Sequence, residues 1–155
     1  MKEKIKVVFN NFIEDENAKT KSYFSKNDFG VITQEDIRHI IKLGKKGQDT
    51  VRLSLHSSSS SLLQLMLIYH PYKKDIPIQK FIKQESIYML VDGEFKIELL
   101  NNKYEITSES YFSSDKVSMC IVPKNEFYKM SILSESLLFI EVRTGPYEKN
   151  NQILI

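Results

Sequence analysis

From about residue 53 onward the chain is organised by alternation. Phe95, Ile97 and Leu99 alternate with Lys96 and Glu98, the two-residue period of a strand with one buried and one wet face. Phe139-Ile140-Glu141-Val142-Arg143 alternates in the same way. Five further runs, at 62–69, 86–91, 104–108, 118–122 and 127–133, are strand-sized and rich in β-branched or aromatic residues. Turn signals such as Asp92-Gly93, Asn101-Asn102 and Pro123-Lys124-Asn125 separate them. Short strands repeating at roughly 8–12-residue spacing predict a mainly β fold, a sandwich or small barrel of two facing antiparallel sheets.

The period changes only once. Ile37, Ile40 and Ile41 share one helical face behind Thr33-Gln34-Glu35-Asp36, which offers a cap and an acidic first turn. A helix is therefore predicted over about residues 34–43, with Gly44 as its stop and Lys45-Lys46 at the negative end of its dipole. Before it, Ile5–Phe9 and Phe29–Ile32 are expected to be short strands on either side of the polar stretch Glu14–Lys26, to which no element is assigned. Ser57–Ser61 reads as a surface loop within a domain. The organisation expected is one structural domain, with residues 1–50 as an N-terminal extension packed on a barrel of 51–155.

Composition narrows the function classes. A chain of 155 residues is one domain able to bury its own core. Twenty-two basic against 20 acidic residues leave a net charge of +2, which argues against a nucleic-acid partner held by counterion release. A single cysteine, Cys120, excludes an internal disulfide framework and thiolate-rich zinc sites. No apolar run approaches the ~20 residues of a bilayer span, and the charged N-terminus lacks a signal-peptide core. A soluble, cytoplasmic protein is expected. Nucleophile elbows, phosphate-cradling Gly-rich loops and His-Glu-x-x-His zinc motifs are all missing.

Between Glu35 and Tyr147 the chain resembles the WbuC-type cupins, small proteins of surface-polysaccharide gene clusters. The resemblance is carried by Glu35-Asp36-Ile37, by Val51-Arg52-Leu53-Ser54-Leu55-His56-Ser57 and by Phe139-Ile140-Glu141-Val142-Arg143-Thr144-Gly145-Pro146-Tyr147. It implies a double-stranded β-helix, or jelly-roll barrel, with an N-terminal strand and helix extension and a site in the barrel mouth. In most cupins a His-x-His pair, a Glu and a second-motif His hold a divalent metal there. This sequence departs from that pattern. Gln79 and Phe81 stand in the region of the His pair, Ser86 stands where the Glu is due, and Tyr128 replaces the last His. Asn125 replaces the second-motif Gly, a position suited to the left-handed backbone that Asn tolerates. No metal or other cofactor is therefore expected.

The resemblance and the strand period together nominate a site. His56 and Tyr128 are the candidate catalytic acid and base; Arg52, Gln79, Tyr88 and Glu141 are the candidate substrate contacts. Tyr88 shares a strand face with Ser86. Three arginines against nineteen lysines suggest that Arg52 and Arg143 serve where a planar fork is wanted, either for a ligand anion or in a structural pair such as Arg52 with Glu141. Three readings stay open: a metal-independent sugar-nucleotide isomerase or epimerase, a non-catalytic sugar-binding or scaffolding cupin, and a metalloprotein with ligands such as His56, Glu85 and His70. A carbohydrate or sugar-nucleotide is the expected partner. A homodimer is the expected assembly, with Ile5–Phe9 covering a sheet edge.

Overall fold

A computed structural model describes residues 9–73 and 75–155 of the chain. The expected strand Ile5–Phe9 and the edge covering assigned to it lie outside these residues, apart from Phe9. The alternating segments build two sheets. The larger is ordered β1 (Phe12–Glu14), β2 (Lys21–Ser25), β3 (Val51–Ser54), β4 (Leu63–His70), β11 (Leu137–Thr144), β6 (Ser86–Asp92) and β9 (Met119–Val122). The smaller is ordered β12 (Gln152–Leu154), β5 (Gln79–Phe81), β10 (Phe127–Ile132), β7 (Phe95–Leu100) and β8 (Ile106–Phe112). The fold class is as the alternation predicts: mainly β, with the two sheets packed face to face.

Alternation decides which side chains enter. On β7, Phe95 and Ile97 are buried between the sheets, where they meet Phe112, Met130, Ile132 and Phe139. On β11, Phe139, Glu141 and Arg143 are buried while Ile140 and Val142 are only half-buried. A second apolar cluster lies on the outer side of the larger sheet. There Val51, Leu53, Leu67, Tyr69 and Leu138 pack under Ile40 of the helix α1 (Gln34–Gly47).

The β2–β3 pair is parallel, whereas the other ladders are antiparallel. A parallel pair needs a crossover, and α1 supplies it. The helix starts as expected: Thr33 Oγ1 accepts from the Asp36 amide at 3.1 Å, and Asp36 Oδ2 accepts from the Thr33 amide at 2.8 Å. It ends differently. Instead of stopping at Gly44 it continues to Gly47 and is closed by Gln48 in the left-handed conformation (φ 51°). Gly44 serves close approach: a Cβ there would stand 2.2 Å from the Tyr69 ring. Phe29–Ile32 forms no strand. The place beside β3 is taken by β2, out of the polar stretch to which no element was assigned, and β1 pairs with β2 at the sheet's end.

Helix docking is thus limited by one missing methyl group. Gly44→Ala gains helix propensity but drives a Cβ into a buried ring. It is expected to destabilise the fold by about 1–3 kcal/mol, read as a lower urea midpoint at unchanged slope.

Candidate functional site

The interior of the barrel is polar along one line. Glu141 and Arg143, two residues apart on β11, point to the same face, and an Arg143 Nη2–H donates to Glu141 Oε1. Arg143 Nε also donates to Ser86 Oγ at 3.1 Å, and its guanidinium carbon lies 3.6 Å from the centroid of the Phe81 ring. Burial opposes charge on Arg143 and is the largest single effect, but Glu141, Tyr88 and Tyr128 together outweigh it and hold the guanidinium above its ordinary pKa.

From Glu141 the line crosses to the other sheet. Tyr88, the cross-strand neighbour of Glu141, donates to Glu141 Oε1 at 3.2 Å, and its oxygen lies 2.7 Å from the Tyr128 hydroxyl on β10. Since the Tyr88 proton goes to Glu141, the Tyr128 proton goes to Tyr88. The Tyr128 oxygen is left with lone pairs to offer. Burial, reinforced by the Glu141 charge, pushes both phenols up, Tyr88 well above the ordinary value, so both stay protonated at neutral pH. Asn125, in the turn before Tyr128, has φ 63°, the left-handed conformation expected of it.

The positions at which cupins hold a metal do not suit one here. Phe81 has no donor atom, Ser86 is engaged by Arg143, and a guanidinium stands over Phe81. Among the described residues no group of three His, Cys, Asp or Glu side chains is placed to hold an ion.

The nominated residues separate. Tyr88, Tyr128 and Glu141 are joined, as just described. Gln79 lies beside Tyr128 across the β5–β10 ladder and accepts from Gln152 Nε2 at 2.8 Å. Arg52 is not the partner of Glu141; it donates to Thr20 Oγ1, and Arg143 takes the carboxylate from the same strand. His56 joins none of them. Its Nδ1 accepts from the Leu65 amide at 3.1 Å, and its ring packs edge-on against Phe24 with centroids 5.5 Å apart. With Nδ1 an acceptor, the neutral ring carries its proton on Nε2. Arg143 was absent from the nominated set, although its scarcity and its i, i+2 spacing from Glu141 were signals for it.

Open space lies elsewhere. A hollow of about 200 Å³ opens between β7, β8 and β9, with Leu99, Ser110, Phe112 and Cys120 in its lining. Leu99 and Cys120 are the cross-strand neighbours of Tyr128 and Tyr88, so the hollow lies one strand away from the two tyrosines, which do not themselves line it. Burial pushes the Cys120 thiol up to about 11, against the Tyr88 backbone hydrogen bond. The thiol stays protonated, which disfavours a nucleophilic role.

No protein-family model matches the chain, and no curated protein sequence matches it either. Solved structures do match. The capsular polysaccharide assembling protein CapF of Staphylococcus aureus superposes with a TM-score of 0.58 at 12% identity, over 70% of this chain and 29% of CapF. The cupin domain of Schizosaccharomyces pombe Cnp3 superposes at 0.50, with 10% identity over 61% of this chain and 64% of that one. The fold is a cupin fold. A protein of Shewanella oneidensis shares it over 81% of this chain and 85% of its own, at a TM-score of 0.59 and 11% identity. The chain spans only about a third of the CapF chains it matches. Among its described residues no helix is long and apolar enough to cross a membrane.

Two outcomes follow for this cupin. Arg143→Met strands the buried Glu141 charge and is expected to cost about 3–5 kcal/mol, whereas adding Glu141→Leu recovers stability to within about 2 kcal/mol of wild type. Denaturant melts of the single and double variants check this.

The second concerns pH. Burial lowers the His56 pKa against the opposing pull of the Leu65 carbonyl, 3.3 Å from Nδ1. The folded state therefore favours the neutral ring, and the unfolded chain takes up the proton first as pH falls below about 6.5. Stability is full above that value and drains below it. Between neutral pH and pH 5 the melting temperature of wild type should fall further than that of His56→Gln, which keeps an acceptor for the Leu65 amide but does not titrate.

Proposed function

We propose that this cupin binds or modifies a sugar in surface-polysaccharide biosynthesis, without a metal, in the manner of the WbuC-type proteins that its sequence resembles. The observation that carries the reading is the buried line Tyr128–Tyr88–Glu141–Arg143, which occupies the fold's interior where a metal would lie and leaves a hollow of mixed serine and aliphatic lining one strand away. Such a lining suits a polyhydroxylated ring. The capsule-assembling description of CapF supports the same direction. The cytoplasm and a homodimer belong to this proposal. Both sheets end in strands with one unpaired edge, and pairing of copies is one way to cover such an edge.

A catalytic version is favoured by one observation: two hydroxyls and a carboxylate in series, 2.7 Å and 3.2 Å apart, lead from Tyr128 to Glu141. In that version the Arg143 network opens to admit the sugar, Tyr128 is the acid or base at it, and His56 must reach the ligand through its Nε2–H. Incubation of the protein with nucleotide-linked and free sugars in D₂O tests both versions by proton NMR. A catalyst exchanges a ring C–H for deuterium and loses that exchange in Tyr128→Phe. A binding protein broadens the sugar signals without exchange. If no sugar is either bound or exchanged, the carbohydrate reading is wrong.

A further inference from the structure

The polar interior and the open space of this barrel do not coincide. At the ligand positions of the fold, Ser86 and Tyr128 are 1% exposed and Phe81 is 3% exposed, so nothing enters there without moving the Arg143 network. The open space lies on the other half of the barrel. It is flanked by β8 and β9, the last strands of their sheets. Among the described residues each presents an edge of backbone N–H and C=O groups that pairs with no further strand, apart from the single bridge Phe112–Val117 at one end of β8. Ser108 and Ser110, two residues apart, share the inward face of β8, and Cys120 faces them from β9. Ile97, Leu99 and Val122 form an apolar base.

Among the described residues no lysine or arginine lines the hollow. The two arginines of the barrel face are engaged, Arg143 with Glu141 and Ser86, and Arg52 with Thr20. Glu109 lies between Ser108 and Ser110, so its side chain turns to the outer face beside Glu98 and Lys96 and brings no charge into the hollow.

We propose that this hollow is a ligand site for one small uncharged polyol ring, the size of a single monosaccharide unit, recognised without phosphate or nucleotide. The class "sugar" rests on the carbohydrate reading above; the place, size and charge of the site stand on its own lining. At about 200 Å³ it falls below the roughly 300–1,000 Å³ of sites for drug-sized molecules. A diphosphate needs cations or a helix N-terminus; among the described residues this lining has neither. The apolar base fits the C–H face of a ring. The serine hydroxyls and the strand edges fit its hydroxyl groups.

Saturation-transfer NMR tests the inference on wild type, on Ser110→Leu and on Ser108→Leu. The probes are free hexoses, 6-deoxyhexoses and N-acetylhexosamines, together with UDP-glucose and UDP-N-acetylglucosamine, at low and high salt. At least one free sugar should bind, changing less than about threefold when salt is raised or when the nucleotide is attached. Either leucine variant should weaken that binding about tenfold or more at an unchanged melting temperature. Should both variants unfold, perturbation of the Ile97 and Leu99 methyl signals of wild type by the bound sugar replaces them, and its absence overturns the site. Nucleotide sugars binding tenfold tighter, and weakening with salt, overturn the ligand class while leaving the carbohydrate reading intact. Sugar binding untouched by the leucines overturns the place and leaves that reading intact as well. No binding by any probe overturns both.

Discussion

The buried pair Arg143–Glu141 is the contact around which the interior is arranged. Taking both charges out of water costs several kcal/mol per ion, which is recovered only if the remaining donors and acceptors are satisfied. Here Glu141 Oε1 receives Arg143 and Tyr88, while Arg143 also reaches Ser86 and lies on the face of Phe81. Those partners come from β5, β6 and β11, and Tyr88 carries the connection to Tyr128 on β10. Apolar replacements of both charges often do as well for stability, so the specific gain lies in register. A one-residue slip of β11 would turn Glu141 and Arg143 outward and bury Ile140 and Val142 in their place. The pair penalises that slip heavily, in a sheet whose outer face is apolar enough to tolerate it.

The same pair explains why the fold's usual ligand place is closed. In a cupin with imidazole and carboxylate ligands the interior is neutralised by an ion. In this chain the positive charge is covalently attached, comes from β11, and is matched by a carboxylate two residues away. Hydrogen-bond direction then propagates outward from Glu141: Tyr88 must donate to it and Tyr128 must donate to Tyr88. The polarity of the last hydroxyl is fixed by a charge two residues deeper in the network.

Much of this was legible in the sequence, and the failures have physical causes. Strict alternation marked β7 and β11, and the second-motif position marked Tyr128. The first depends on local periodicity, which survives in a single sequence, and the second on the resemblance to cupins. The strands β1, β5 and β12 are three residues long, too short for any period, and exist only through long-range pairing. Gly44 carried a stop signal but met a tertiary demand, the Tyr69 ring, that no local pattern encodes. Arg52 was offered as a structural partner of Glu141, and same-strand proximity gives that carboxylate to Arg143 instead. His56 was placed by extending the face of Arg52 along β3, yet that strand ends at Ser54, and beyond it the ring turns to the backbone of β4.

Side-chain size alone separates the filled half of the barrel from the open half. At one end of the β7–β8 ladder Phe95 and Phe112 face each other with ring centroids 4.3 Å apart, and the interior is solid. Further along the same ladder the inward positions pair Ile97 with Ser110 and Leu99 with Ser108, and the space is left unfilled. Opposite, Cys120 stands beside Tyr88 with a smaller side chain. The backbone register is regular from Phe95 to Leu99 and shifts only between Leu99 and Leu100, so along the regular part the hollow is written in three small residues. A jelly roll can therefore move its open space sideways by one or two strands without altering its topology. The ligand positions of the fold are given over to an internal ion pair, and the small residues on the two edge strands keep a different part of the interior accessible.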